Sequence, residues 1–235
     1  MFKQLSTLAQ QFGISLPPAA PALFARYHHF LLEENKKFNL TRITAAEEVM
    51  IKHFLDSLML LVIFPDVSGP LLDLGSGAGL PGIPLKLARP TLALTLLDAL
   101  QKRVNFLQQL SAHLSLEQVS FLHGRAEDLG QESKLREKYP LVVSRAVAKM
   151  PVLLELALPF VALGGYFIAY KGPEGATELQ EAENALQELG GSLHKLWHYD
   201  LPQQFGKRSL IVIKKEHVTP EKYPRRAGVP AKRPL

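Results

Sequence analysis

Two acids with a run of glycines between them carry the strongest chemical suggestion in this sequence. A short apolar run, Pro70-Leu-Leu-Asp73-Leu74, leads directly into Gly75-Ser-Gly77-Ala-Gly79-Leu80-Pro81-Gly82, and a second apolar run over 91–97 ends on Asp98. Glycine backbone admits a ligand where a Cβ would clash. A helix opening behind the loop leaves free N–H groups that favour negative charge. An acid about 20 residues further on is placed to accept hydrogen bonds from ribose hydroxyls. The implied chemistry is the holding of a nucleoside-bearing ligand at the rim of a βαβ unit.

Gly77-Ala-Gly79-Leu-Pro-Gly82 matches the dinucleotide fingerprint G-x-G-x-x-G literally. Asp73 argues against a dinucleotide, because a carboxylate at that strand end repels a nearby pyrophosphate. It suits a ligand with a cationic end, such as the amino group of S-adenosylmethionine. The plainer alternative is a tight strand–helix turn with a solvated Asp73.

Further along, Gly124-Arg125-Ala126-Glu127-Asp128 follows a third apolar run. In this topology that loop lies at the same carboxyl edge and suits an adenine, unless Asp128 only starts a helical turn. Arg145, in Ser144-Arg145-Ala146, stands at the end of a fourth run. Its guanidinium suits a carboxylate, a phosphate or a base face, or a structural pair with Asp73 or Asp98. Lys171 ends a fifth run and suits a phosphate, or is simply solvated. His53 and Asp56 share one helix face at i and i+3, either at the ligand mouth or as a local pair fixing that helix to the core. The eight histidines show no metal-ligand spacing, so no metal site is expected.

The elements that must position these residues follow from periodicity. Residues 1–62 read as helical, with Leu5, Leu8, Phe12 and then Leu23, Phe24, Tyr27, Phe30 and Leu31 at three and four spacings. Pro17, Pro18 and Pro21 separate the first two helices, and Thr44 with Glu47 forms a capping-box pattern for a third. From 70 on, strands are predicted at 70–74, 92–97, 118–123, 140–144, 165–170, 193–199 and 208–214. Helices are predicted at 82–89, 101–114, 131–137, 149–162 and 174–189. This alternation predicts an α/β fold with a mostly parallel sheet. The expected organisation is a helical extension packed on the core over 1–65, a ligand-binding domain over 66–215 and a basic, proline-rich tail over 216–235.

That tail carries Lys222, Arg225, Arg226, Lys232 and Arg233, with Tyr223 among them and prolines at 220, 224, 230 and 234 that oppose regular structure. Cations on a stiff segment suit a nucleic-acid backbone, and the net charge of +5 agrees with a polyanionic partner. The 235 residues are 47% hydrophobic, enough for a real core. No apolar run reaches the roughly 18 residues of a membrane span, and the start lacks the shape of a signal peptide, so a cytoplasmic address is expected. The absence of cysteine excludes disulfides, thiolate metal sites and covalent attack on a pyrimidine ring through a thiolate.

The chain resembles the bacterial ribosomal RNA small subunit methyltransferase G family, also called the glucose-inhibited division protein B family. The resemblance runs through Asn39-Leu-Thr41, His53-Phe-Leu-Asp56-Ser57, Leu72 to Leu85, Leu97-Asp-Ala-Leu-Gln-Lys-Arg-Val104, Gly124-Arg-Ala-Glu127, Ser144-Arg-Ala146, Tyr170-Lys-Gly172 and the ending from Tyr223. It implies a Rossmann-like class I methyltransferase fold, with a seven-stranded sheet, helices on both faces and an N-terminal helical extension. It implies methyl transfer from S-adenosylmethionine to N7 of a guanine, guanosine 527, in 16S ribosomal RNA. Gly75, Leu80, Asp98, Ala99, Leu100, Ala126, Glu127 and Arg145 then contact the cofactor, joined by Asp73 and Gly77 from the glycine loop. Arg145 and Lys171 position the reactants. Arg125, Lys171, Arg225 and Arg226 meet the RNA. Gln101 departs from the glycine many relatives carry there and bears on the contact at Leu100. The expected partner is 16S ribosomal RNA or the small ribosomal subunit, with no membrane and no metal, and the chain is expected to act as a monomer. The competing readings are an NAD(P)-dependent oxidoreductase on the same glycines, and a non-catalytic RNA-binding protein resting on the tail.

Overall fold

The computed structural model describes residues 2–235. The chain opens with helices α1 (Phe2–Gln11) and α2 (Ala20–Asn35). On α2, Ala20, Phe24, Tyr27 and Leu31 are fully buried, which is the helical stripe the spacing predicts. Each of the three large side chains contributes roughly 1.5–3 kcal/mol through burial.

The third helical segment departs from expectation. It begins as α3 (Ala46–Glu48), continues as a π-helix over Val49–Leu55, and closes with α4 (Asp56–Leu58) and α5 (Leu60–Ile63). Thr44 does not cap it, because the N-cap is Ala45 and no side chain bonds the first turn. Widened π turns occur frequently at functional sites, and this one carries His53.

The sheet strands are β1 (Leu71–Leu74), β2 (Leu94–Asp98), β3 (Val119–His123), β4 (Tyr139–Arg145), β5 (Val161–Lys171), β6 (Gly191–Leu201) and β7 (Gly206–Lys215). They lie in the order β3-β2-β1-β4-β5-β7-β6. The first five pair in parallel, and β7 runs antiparallel to both β5 and β6. Every residue of β1 is buried, as expected for a central strand covered on both faces.

Alternation sends successive side chains to opposite faces. Leu71, Leu96, Val143 and Ile168 join one core with α1, α2, the π segment, α6 (Gly82–Ala88) and α7 (Gln101–His113). Leu72, Leu97, Val142 and Phe167 join the other, with α9 (Met150–Ala157) and α11 (Glu183–Leu189). The N-terminal helices therefore share a core with the sheet.

Two predicted helices are corrected. Residues 131–137 form turns, and the helix in this region is instead the short α8 (Ala126–Leu129). The 131–137 stretch offers only Leu135 to the core, too little to fix a helix face. The span 174–189 divides into α10 (Gly175–Gln180) and α11 at Glu181–Ala182. The tail is packed rather than irregular throughout, and ends in a short helix, α12 (Val229–Lys232).

Candidate functional site

Strand order reverses direction at β1, which has β2 on one side and β4 on the other. In open α/β sheets the crevice at such a switch point, outside the carboxyl ends, is where ligands bind. Asp73 and the glycine loop come from the end of β1, Arg145 from the end of β4, and Asp98 from the end of β2. The hydroxyl of Ser144 donates to the Leu74 carbonyl at 2.8 Å and locks the two central strands together at this edge.

Asp73 is completely buried. Its Oδ2 accepts from the Gly82 amide at 2.8 Å, while Oδ1 has no hydrogen-bond partner among the described residues. Burial pushes its carboxyl up to about 7; the Gly82 N–H and the Arg145 charge pull the other way, and Asp98 adds to the rise. Gly82 has to be glycine, since a Cβ there would lie 2.7 Å from Oδ2 of Asp73.

Asp98 braces the loop from the other side. Its Oδ2 accepts from the Gly77 amide at 2.9 Å and its Oδ1 from the Leu100 amide at 2.9 Å, with Arg103 Nη1 at 3.4 Å from Oδ2. Beyond it Ala99 and Leu100 are exposed, Leu100 by 44%, an unusual placement for a large apolar side chain at a rim. Tyr27 reaches over from α2 and its hydroxyl donates to the Ala78 carbonyl, inside the loop. Leu80 is buried beneath. Gly75 takes a positive φ of 74°, and a Cβ on it would collide with Val147, so the loop after β4 lies directly over it.

Arg145 is paired, but with neither Asp73 nor Asp98, the acids proposed from the sequence. Nη1 donates to Asp56 Oδ2 at 3.1 Å and to the Lys52 carbonyl at 3.2 Å. Nη2 lies 3.3 Å from His53 Nδ1. Because a guanidinium only donates, Nδ1 must accept, and the imidazole proton sits on Nε2, which donates to Thr41 Oγ1 at 2.8 Å. Burial, aided by the Arg145 charge, drives His53 down to about 3, so the ring is neutral. The second oxygen of Asp56 accepts from the Tyr199 hydroxyl at 2.7 Å. His53 and Asp56 thus fix a helix to the core, and Asp56 also lines the cavity beside Arg145. Tyr199 went unnoticed in the sequence because it sits on β6, where no local spacing links it to Asp56.

Arg145 and Asp56 line a cavity of about 510 Å³ together with Lys52, Lys149, Lys171 and Arg208. Lys171 is not solvated. Its ammonium donates to the Ala148 carbonyl and to Glu178 Oε2, both at 2.7 Å. Ala146, between the two, has φ of 57°, a left-handed conformation uncommon for a side chain with a Cβ.

On the loop after β3, Ala126 is buried, Arg125 and Asp128 are exposed, and Glu127 Oε1 accepts from the Gly228 amide at 3.0 Å. Of the two tail arginines proposed for RNA, Arg226 is exposed. Arg225 is clamped on the buried Glu155, with Nη2 at 2.6 Å from Oε2 and Nε at 2.9 Å from Oε1. Among the described residues no group of three or more His, Asp or Glu is arranged to hold a metal ion, and no helix is long and apolar enough to cross a membrane.

An unpartnered buried carboxylate oxygen, open space at Gly77, where a Cβ would meet nothing nearer than 3.8 Å, and an exposed Leu100 fit a ligand with a cationic group and a flat apolar ring. Among solved structures, an O-methyltransferase from Bacillus cereus in complex with SAH superposes over 92% of this chain and all of its own, with a TM-score of 0.60 at 15% identity. TrmN from Thermus thermophilus superposes over 68% of this chain and 48% of its own, with a TM-score of 0.51 at 17% identity. The strand order and these neighbours give the chain the Rossmann-like fold of class I methyltransferases. A family model described as rRNA small subunit methyltransferase G matches residues 21–204. The protein of that name from Alkaliphilus oremlandii is 49% identical over 97% of this chain and 95% of its own, and that from Carboxydothermus hydrogenoformans 46% identical over the full length of both. The chain belongs to the ribosomal RNA small subunit methyltransferase G family.

Proposed function

We propose that this protein transfers the methyl group of S-adenosylmethionine to N7 of a guanine in the 16S ribosomal RNA of the small ribosomal subunit, acting as a cytoplasmic monomer. The observation that carries the reading is Asp73, whose second oxygen is buried without a partner beside a glycine loop, on the strand adjacent to β4, whose Arg145 lines the cation-rich cavity. A nicotinamide dinucleotide would set its pyrophosphate near that carboxylate, which is unfavourable.

In this reading Asp73 holds the cationic end of the cofactor, Gly77 lets it approach the backbone, and Ala99 and Leu100 offer an apolar face to its ring. When bound, the cofactor supplies an electrophilic methyl group on a sulfonium. Guanine N7 has its own in-plane lone pair, so the protein needs no general base. His53 agrees with this, since both ring nitrogens are already engaged, with Arg145 and Thr41. Arg145, held by Asp56, the Lys52 carbonyl and His53, acts by position and charge. The cavity lined by Lys52, Lys149 and Arg208 supplies counter-charge for the RNA phosphates.

Incubating the protein and labelled cofactor with small subunits lacking the modification, then mapping the label, tests the proposal. Label on a guanine N7 is expected, and sharply less with Asp73→Asn. No incorporation, or label on another atom, refutes it.

A further inference from the structure

The tail beyond β7 is bound to the body by a dense set of polar contacts. Arg136 donates to the carbonyls of Thr219 at 2.7 Å and Tyr223 at 2.8 Å. Gln131 donates to the Pro224 carbonyl at 2.9 Å, and the Tyr223 hydroxyl to Glu188 Oε2 at 3.1 Å. Arg225 then closes a two-bond clamp on Glu155, which is wholly buried, and its own amide donates to the same carboxylate at 2.8 Å. Two bonds to a planar carboxylate fix direction as well as distance. Immediately after this clamp the chain reaches Gly228, whose amide donates to Glu127 Oε1. Gly228 has φ of 82°, a conformation glycine adopts without strain, and it is there that the backbone turns its amide to Glu127. Glu127 Oε2 accepts no hydrogen bond among the described residues.

We propose that the tail completes the cofactor site: the Gly228 amide holds one oxygen of Glu127, the Arg225–Glu155 clamp holds that amide in place, and Glu127 presents its free oxygen to the nucleoside end of the cofactor. Arg225 is thus a positioning residue for the cofactor. Its guanidinium faces a buried carboxylate, not a nucleic-acid backbone. The inference rests on the proposed cofactor reading, with Glu127 on the loop after β3, whose Gly124 amide donates to the Asp98 carbonyl at 3.2 Å.

Two measurements on the full chain test it. Amide hydrogen exchange of the wild-type protein, with and without S-adenosylhomocysteine, is expected to slow both in the glycine loop at 75–82 and in the tail at 225–232. Protection of the glycine loop alone overturns the inference and leaves the cofactor reading standing; protection at neither overturns both. Steady-state kinetics of Arg225→Gln, and of Arg225→Gln combined with Glu155→Gln to spare the buried acid, are expected to raise KM for S-adenosylmethionine about ten-fold, the effect of one lost charged hydrogen bond. KM for the RNA substrate should not move. A rise confined to KM for RNA, or a fall in melting temperature with both KM values unchanged, also overturns it.

Discussion

Nη1 of Arg145 and Oδ2 of Asp56 lie 3.1 Å apart, joining the end of β4 to the first residue of α4, directly after the π-helix. Both side chains are nearly buried, at 13% and 5% exposure. Removing one member of such a pair costs about 3–5 kcal/mol, because the other charge is left buried alone. Asp56→Ala also strands the Tyr199 hydroxyl. We expect Asp56→Ala to lose most of the stability of the fold by urea denaturation. Asp56→Asn, which keeps an acceptor for Tyr199, should remain folded but methylate far more slowly, since Arg145 loses the charge that aims it. An Asp56→Asn enzyme of wild-type rate would show that Arg145 needs no aiming.

Lys171 and Glu178 form the second pair at the cavity, with exposures of 9% and 21%. Glu178 Oε2 also accepts from the Met150 amide at 3.0 Å, so the pair ties β5, α10 and the start of α9 to the loop over Gly75. A double-mutant cycle of Lys171→Met and Glu178→Gln is expected to give a coupling of about 1–3 kcal/mol in stability. If Lys171 acts on RNA only through this loop, both single variants should slow transfer alike. A loss of RNA affinity in Lys171→Met alone would assign the ammonium to the phosphate directly.

The sheet was legible because strands buried on both faces read as short apolar runs, as at Leu71–Leu74, and each helix between them shows its own period. The glycine loop and its two acids were legible because their spacing is local. The pairing of Arg145 was not. Asp56, Tyr199 and His53 come from distant parts of the chain, and only the packing of the N-terminal helices on the sheet brings them together. The role of Arg136 was hidden for the same reason, since its partners are carbonyls of the tail, and a carbonyl leaves no trace in residue type. The π-helix at Val49–Leu55 was read as an ordinary helix, because the four-residue step from Phe54 to Leu58 is helical, although the five-residue step from Val49 to Phe54 is the wider spacing of a π turn.

Tyr27 spans from α2 to the glycine loop through a single hydrogen bond to the Ala78 carbonyl. Tyr27→Phe keeps the ring tilted against Phe54, at a centroid separation of 4.9 Å, and deletes only the hydroxyl. The stability loss should be about 1 kcal/mol, or roughly 2–4 °C in melting temperature for a chain of this size. Affinity for S-adenosylhomocysteine by calorimetry should fall by more than the stability does, because the freed carbonyl lies in the loop proposed to meet the ligand. Equal affinity in the two proteins would mean that the loop holds its shape without α2.

His53 and Asp73 pull stability in opposite directions over the same pH range. For His53, the unfolded ring takes a proton near 6.5 while the folded one waits until about 3. Its contribution is present above pH 6.5 and is lost as pH falls toward 3. For Asp73, the folded carboxyl keeps its proton up to about 7, whereas the unfolded one releases it near 3.8. Its contribution is present below pH 3.8 and is lost as pH rises through 7. A single such group changes stability by at most about 1.4 kcal/mol per pH unit. Between roughly pH 4 and 6 the two slopes oppose each other, so this pair leaves little net dependence in the wild type. Each substitution should therefore expose the other group. His53→Gln should grow less stable as pH rises from 4 to 6, and Asp73→Asn more stable. Denaturant midpoints taken at half-unit steps across that window, referred to the wild-type profile, decide the matter. Two variants shifting with the same sign would mean that one of these groups is not held in the protonation state its burial imposes.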